Sequence, residues 1–208
     1  MKFAVERSAL VTTCLAALCL VGVPMAAIGL RDSLQVDAIE AGDIGTVDRL
    51  SEQEVASPDV LKALARHSIL QGDEPIEYAI DRLESSLEGN PSQADAMALL
   101  AYAHALQTGE ADKAANQALR ESFSLCLLCD EDLTKWRLEF VLAYWPGIDE
   151  DNRMSAFEGA DFLRWWHLEY AYIDQLRDHA EARGTPFSDY QRKVATPVRP
   201  NEVPRPAP

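Results

Sequence analysis

The side chains of this 208-residue chain that could do chemistry are few and scattered, and one short motif stands out among them, Cys126-Leu127-Leu128-Cys129. Such a pair reads as half of a zinc site, a redox dithiol, a local disulfide or two small apolar core residues. Zinc needs four ligands, and neither a second CxxC nor a nearby histidine pair supplies them. A redox dithiol gains thiolate character at the positive end of a helix. This pair instead closes one helical pattern and is followed by Asp130-Glu131-Asp132, which disfavours negative sulfur. Apolar burial leads for Cys126 and Cys129, followed by a local disulfide, which an exported domain allows, with metal and redox roles behind both.

The remaining reactive residues point away from catalysis. His67, His104, His167 and His179 are far apart, and packing or groove-lining roles account for them. Asp130-Glu131-Asp132 and Asp149-Glu150-Asp151 stand where helices begin, complementing the helix dipole as solvated faces. The chain has no glycine-rich phosphate loop, GxSxG elbow or HExxH. The sequence therefore predicts a protein that is not an enzyme, with no catalytic residues, no metal and no cofactor. All four tryptophans, Trp136, Trp145, Trp165 and Trp166, crowd into the second half, where they suit burial of the open end of a helical array.

The elements that must position these residues are helices. Leu61, Leu64, Ala65, Ser68 and Ile69 form one stripe, and Ile76, Ala79, Ile80, Leu83 and Leu87 another, at the i, i+3, i+4, i+7 spacing of an amphipathic helix. The pattern repeats. Leu61, Leu64, Ala65, Leu70, Ala79, Leu83, Ser86 and Leu87 recur 36 residues later as Met97, Leu100, Ala101, Leu106, Ala115, Leu119, Ser122 and Phe123. A period of this length with two helices per unit marks a helical repeat. Ser57-Pro58 and Asn90-Pro91 open the two units, and Gly72 and Gly109 divide each into a helix pair. Further along, Leu133, Trp136, Phe140, Val141 and Tyr144 share a helical face that stops at Trp145-Pro146-Gly147, and residues 154–183 predict one long helix or two short ones.

The two ends differ from the middle. Residues 8–30 carry no charge, and Ala9–Leu30 as a helix would be about 33 Å long, enough to cross a hydrocarbon core of about 30 Å. Lys2 and Arg7 precede this span and acidic residues follow it, which places the N-terminus in the cytoplasm and exports the rest. A cleaved signal ending near Ala27 and Gly29 is the rival reading. Thr13 and Leu18 are too large to precede a lipidated Cys14 or Cys19. Residues 31–56 read as an acidic linker, 57–183 as the helical domain, and 184–208, with six of the eleven prolines, as a disordered tail. The formal net charge of −15 excludes nucleic acid as a partner, and residues 31–183, with 13 Lys and Arg against 31 Asp and Glu, reach −18.

Over residues 57–125 the chain resembles the tetratricopeptide-repeat family. Leu100-Ala101 stands where that family has Leu-Gly, Gly109 near its inter-helix glycine, and Ala114 and Ala118 close to its second-helix alanines. The early tryptophan, the central aromatic and the closing proline of the family are missing. The resemblance implies an all-α stack of antiparallel helix pairs whose first helices line a groove. Its groove positions map onto Asp59, Lys62 and Arg66 in the first unit and Asp95 and Tyr102 in the second, where a protein partner would bind.

The second half, through Trp136–Phe140, Trp145, Arg153 and Phe162–Trp166, is similar to small membrane-anchored proteins associated with bacterial exopolysaccharide synthesis and export. That resemblance implies a non-enzymatic scaffold in the cell envelope, anchored in the inner membrane through residues 9–30 with its helical domain in the periplasm. A carbohydrate-binding or carbohydrate-processing domain is the other reading. Sugar rings would stack on the tryptophans of the Trp136–Trp166 cluster, with Glu139, Asp161 or Glu169 accepting hydroxyl hydrogen bonds.

Overall fold

A computed structural model describes residues 26–53, 56–72 and 74–195, and among these every regular element is a helix. The chain divides into two compact units, residues 1–89 and 90–208, where the sequence suggested one continuous helical domain over 57–183.

The first unit holds α1 (residues 26–40), α2 (Ile44–Ser51), α3 (Pro58–Gln71) and α4 (Ile76–Gly89). The acidic stretch expected to be a linker is thus largely helical. Its few apolar residues explain this: Ile39 and Leu50 are each 1% exposed and pack with Val60, Ala63 and Leu64 of α3, flanked by Val36, Val47 and Ala56. Only Val36 and Ile39 of α1 and Val47 and Leu50 of α2 join this core, too few to show as a stripe in the sequence. On its other side α3 pairs with α4, which buries Ala79, Ile80, Leu83 and Leu87.

The second unit holds α5 (Ala94–Thr108), α6 (Lys113–Leu125), α7 (Glu131–Ala143), a 3-10 turn at Trp145–Gly147, α8 (Glu150–Trp166), α9 (Tyr170–Ala182) and α10 (Phe187–Val194). α5 pairs with α6 and α7 with α8, while α5 also meets α7 and α6 meets α8. Residues 154–183 resolve into two helices. The break falls at Leu168, whose φ of 59° is left-handed and cannot continue α8. The tail begins later than expected: Phe187 and Tyr190, one helical turn apart, are buried as α10 packs on α8.

The 36-residue period has a hydrogen-bonded counterpart. The Ser86 hydroxyl in α4 donates to the Pro58 carbonyl at the start of α3, and the Ser122 hydroxyl in α6 donates to the Ala94 carbonyl at the start of α5. Equivalent serines therefore clasp equivalent helix starts. Gly72 and Gly109 end α3 and α5 with φ of 65° and 79°, a left-handed closure that glycine adopts without Cβ strain.

Buried Asn116 joins the two hairpins of the second unit. Its amide donates to the carbonyls of Ala111, Asp112 and Gly147, and its Oδ1 accepts from the Asp149 N–H and the Asn152 amide. Gly147 comes so close that a Cβ there would lie 2.7 Å from the Ala111 carbonyl oxygen.

Among the described residues no helix is long and apolar enough to cross a membrane. The expected span Ala9–Leu30 lies outside them apart from residues 26–30, which are exposed in α1.

Two predictions follow from these polar joints. Asn116→Ala strands several buried groups and should lower the unfolding free energy by about 2–4 kcal/mol in urea titrations followed by circular dichroism. The second concerns Glu74, which the Arg82 guanidinium and then the Ser68 hydroxyl hold below the ordinary carboxyl value of 4.5. A depressed carboxylate stabilises the fold above its unfolded value, and that contribution is lost as pH falls through the folded value. Glu74→Gln should therefore flatten the loss of stability below about pH 4.5 while lowering stability at neutral pH.

Candidate functional site

The first helices of the two hairpins in the second unit, α5 and α7, carry a ladder of aromatic rings. Trp136 and Phe140, four residues apart, lie on one face of α7, and Tyr144, four residues further on, stands at its C-cap. Trp136 and Phe140 stack at 5.4 Å between ring centroids, and Phe140 and Tyr144 lie 5.0 Å apart. Tyr102 of α5 stands across them, edge-on, at 6.0 Å from Trp136, 6.3 Å from Phe140 and 6.5 Å from Tyr144. Edge-to-face and offset geometries are the favourable ones for rings with a negative face and a positive rim. Phe140 is buried, whereas Tyr102, Trp136 and Tyr144 are half-buried, so the ladder keeps an accessible side. Burial, and then the neighbouring Tyr102, raise the Tyr144 hydroxyl above its usual pKa, which keeps it a neutral hydrogen-bonding group.

α7 is held in register by its ends and by Arg137. The Asp130 carboxylate accepts from the Leu133 N–H at 2.8 Å as an N-cap. Arg137 is 1% exposed. Its guanidinium donates to the Ser122 carbonyl and hydroxyl at 2.7 Å each and to the Cys126 carbonyl at 2.7 Å, and it lies 4.9 Å from the Phe123 ring centroid. These acceptors lie in the last turn of α6 and at its C-cap Cys126, the negative end of that helix. Burial pulls the Arg137 pKa down to about 10 against the opposing pull of Asp130 and Asp95, so the group stays charged at neutral pH.

The other side of α7 meets α9 through a chain of charges. Lys135 binds both Glu131 and Glu169, the latter at 2.9 Å, and its ammonium lies 5.0 Å from the Tyr172 ring. His167 Nδ1 is 3.1 Å from Glu131, and the Tyr172 hydroxyl donates to Glu139 at 2.9 Å. The Lys135 contact holds Glu131 below its ordinary value, while burial first and the Glu139 carboxylate second keep the Tyr172 proton in place. This seam fastens the α8–α9 corner to α7.

The structure separates some of the residues singled out in the sequence and joins others. Asp59 and Lys62 form an ion pair of 3.6 Å on α3, and Arg66 reaches Glu40 of α1 at 3.4 Å, all in the first unit. Asp95 is exposed in the first turn of α5, and Tyr102 belongs to the ladder. Cys126 and Cys129 are bonded as a disulfide in the α6–α7 loop, with Cα atoms 5.5 Å apart, half-buried rather than core residues.

The tryptophans do not gather into one cluster. Trp136 is in the ladder. Trp145 packs edge-on against Phe157 and Tyr190 beneath Arg153, and Trp165 and Trp166 end α8, 45% and 80% exposed. The three carboxylates expected to receive sugar hydroxyls are already engaged: Glu139 by Tyr172, Asp161 by the Trp165 indole N–H at 2.7 Å, and Glu169 by Lys135.

Sequence reasoning missed Arg137 and Asn116 as organising residues. Arg137 had a signal, a cation set between the apolar Trp136 and Leu138. Asn116 had none. No known family, curated protein or solved structure matches the chain.

Replacing Arg137 tests what orders the ladder. Arg137→Met should lower stability by about 3 kcal/mol, because the α6 carbonyls lose their buried donor. It should also weaken the near-ultraviolet circular dichroism of the stacked rings. Arg137→Lys, with one point of charge in place of a planar fork, should recover only part of either signal.

Proposed function

We propose that this protein is a non-enzymatic adaptor of the bacterial cell envelope, a tetratricopeptide-like array of helix pairs that presents the aromatic face of α5 and α7 to a protein partner. The ladder carries this reading. Tyr102, Trp136 and Tyr144 are large, rigid and half-buried, the type of side chain that dominates the energy of protein interfaces. The repeated serine clasps and left-handed glycine closures support the tetratricopeptide-like assignment, since equivalent joints at a 36-residue spacing are what a repeated hairpin requires.

The uncharged segment at residues 9–30 supports an inner-membrane anchor with the helical region on the periplasmic side. A strongly acidic region is repelled by anionic headgroups and stands off the bilayer on that anchor. The most reactive-looking side chains, Glu131, Lys135, Glu169 and Arg137, are taken up in joining helices, which agrees with a binding role rather than a chemical one.

A photo-crosslinking residue at Tyr102, with a second at Lys62, should trap one recurrent protein in native membranes. A spread of abundant proteins with no recurrent band would overturn the adaptor reading. The exposure of Trp165 and Trp166 favours a second reading, an oligosaccharide stacked at the end of α8. In that case millimolar oligosaccharide should shift the tryptophan fluorescence of the full chain, and Trp166→Ala should abolish the shift.

A further inference from the structure

We infer that the cavity between α1 and α2 binds the phosphate of a membrane phospholipid, gripped by Arg31 and Arg49. This site rests on the reading of residues 9–30 as a membrane anchor and adds to it the lipid chemistry held at the anchor's foot.

The cavity has a volume of about 410 Å³ and lies within the first unit. Arg31, Leu34, Gln35 and Ala38 line it from one face of α1, at i, i+3, i+4 and i+7, while Thr46 and Arg49 line it from α2 and Gln53 from just beyond. Residues 26–53 also carry Asp32, Asp37, Glu40, Asp43, Asp48 and Glu52, and none of these lines the cavity. Asp43 turns to the Thr46 hydroxyl, from which it accepts at 2.7 Å. The lining is thus cationic in a region that is otherwise strongly acidic.

Its two cations are unsatisfied. Arg66, Arg82, Arg120, Arg153, Arg177 and Arg192 each reach a carboxylate, as an excess of acid makes easy. Among the described residues, the guanidiniums of Arg31 and Arg49 have neither an ion pair nor a hydrogen bond. Two guanidiniums facing one cavity, with the amides of Gln35 and Gln53 beside them, suit the several oxygens of a phosphate, which arginine binds through a planar fork of donors.

The surroundings select a lipid over free phosphate. Ile28, Leu30 and Leu34 are 55%, 63% and 60% exposed. Ile28 stands three residues before Arg31 and Leu30 four before Leu34, so an apolar strip runs along α1 into the cavity. Free phosphate gains nothing from such a strip, whereas a phospholipid lays acyl chain on it while its phosphate meets the arginines. Residues 8–30 carry no charge, so with 9–30 as the anchor Arg31 falls where hydrocarbon gives way to headgroups. The acidic residues beyond are repelled by that surface, which confines the contact to this pair.

The test uses the full chain, 15N-labelled at arginine, in dodecyl maltoside micelles. The side-chain Nε–H resonances of Arg31 and Arg49 are identified by Arg31→Gln and Arg49→Gln. Phosphatidylglycerol added to the micelles should shift both and leave that of Arg120 in place. Inorganic phosphate, at constant ionic strength, should need about tenfold more for the same shift, and diacylglycerol should produce none. Each glutamine variant should weaken the response of the remaining arginine about tenfold, since the two share one ligand. No shift with phosphatidylglycerol, an equal shift with diacylglycerol, equal potency of inorganic phosphate, or independent responses in the two variants would each overturn the inference. Carbonate extraction of native membranes reads the anchor separately. Release of the chain by carbonate, with the phosphatidylglycerol shift intact, would count against the anchor and leave the cavity standing.

Discussion

Everything in the second unit depends on how the end of α6 is closed. A helix terminus leaves carbonyls without partners, and here they are buried against another helix, where an unsatisfied acceptor costs about 1–3 kcal/mol. Arg137 supplies donors from α7, adding to the Cys126 N–H at the Ser122 carbonyl and reaching the Cys126 carbonyl beyond it. Its planar fork reaches Ser122 and Cys126 together, and the Ser122 hydroxyl it touches donates in turn to Ala94 at the start of α5. One guanidinium thus connects three helices. Its charge is tolerated in the interior because the negative end of α6 faces it and Phe123 covers it.

The ladder follows from that joint. Residues 136 and 140 flank Arg137 on α7, so the fork that sets the rotation of α7 against α6 also sets which way the aromatic rings face. Asn116 sets the far end in the same manner, by satisfying the turn at Gly147 and the start of α8. The aromatic face is therefore built by polar joints at its back and ends, with Tyr102, Trp136 and Tyr144 only half-buried. In the first unit the same period places Ser86, whose hydroxyl donates to the Pro58 carbonyl. Lys135, Glu131 and Glu169 play a coarser part, since charges of intermediate exposure are screened and hold the α8–α9 corner only loosely in energy.

Some of this was legible in advance and some was not, for reasons that differ by residue. The stripes on α3, α4 and α7, and the stop at Trp145-Pro146-Gly147, could be read because helical period and the lack of a proline N–H are local properties. The short helices in residues 26–51 and at 187–194 escaped because each carries only two or so core residues, Ile39, Leu50, Phe187 and Tyr190 among them, whose burial exists only against a partner helix. The tryptophans were misjudged as a group. Nearness in sequence does not survive the turn at 145–147 and the reversal into α8, which send Trp136, Trp145 and Trp166 to different surroundings.

The sequence by itself determined the helical character, the 36-residue period, the glycines and prolines that punctuate it, and the division between an acidic middle and two more basic ends. These depend on backbone torsions and composition, which each short stretch of chain carries alone. Only the tertiary structure decided that Arg137 closes α6, that Asn116 binds across 31 to 36 residues of chain, and that Tyr102 completes a ladder begun on α7. Pairings of that kind are chosen by which polar groups are left unsatisfied once helices pack, and packing is a property of the whole unit rather than of any segment within it.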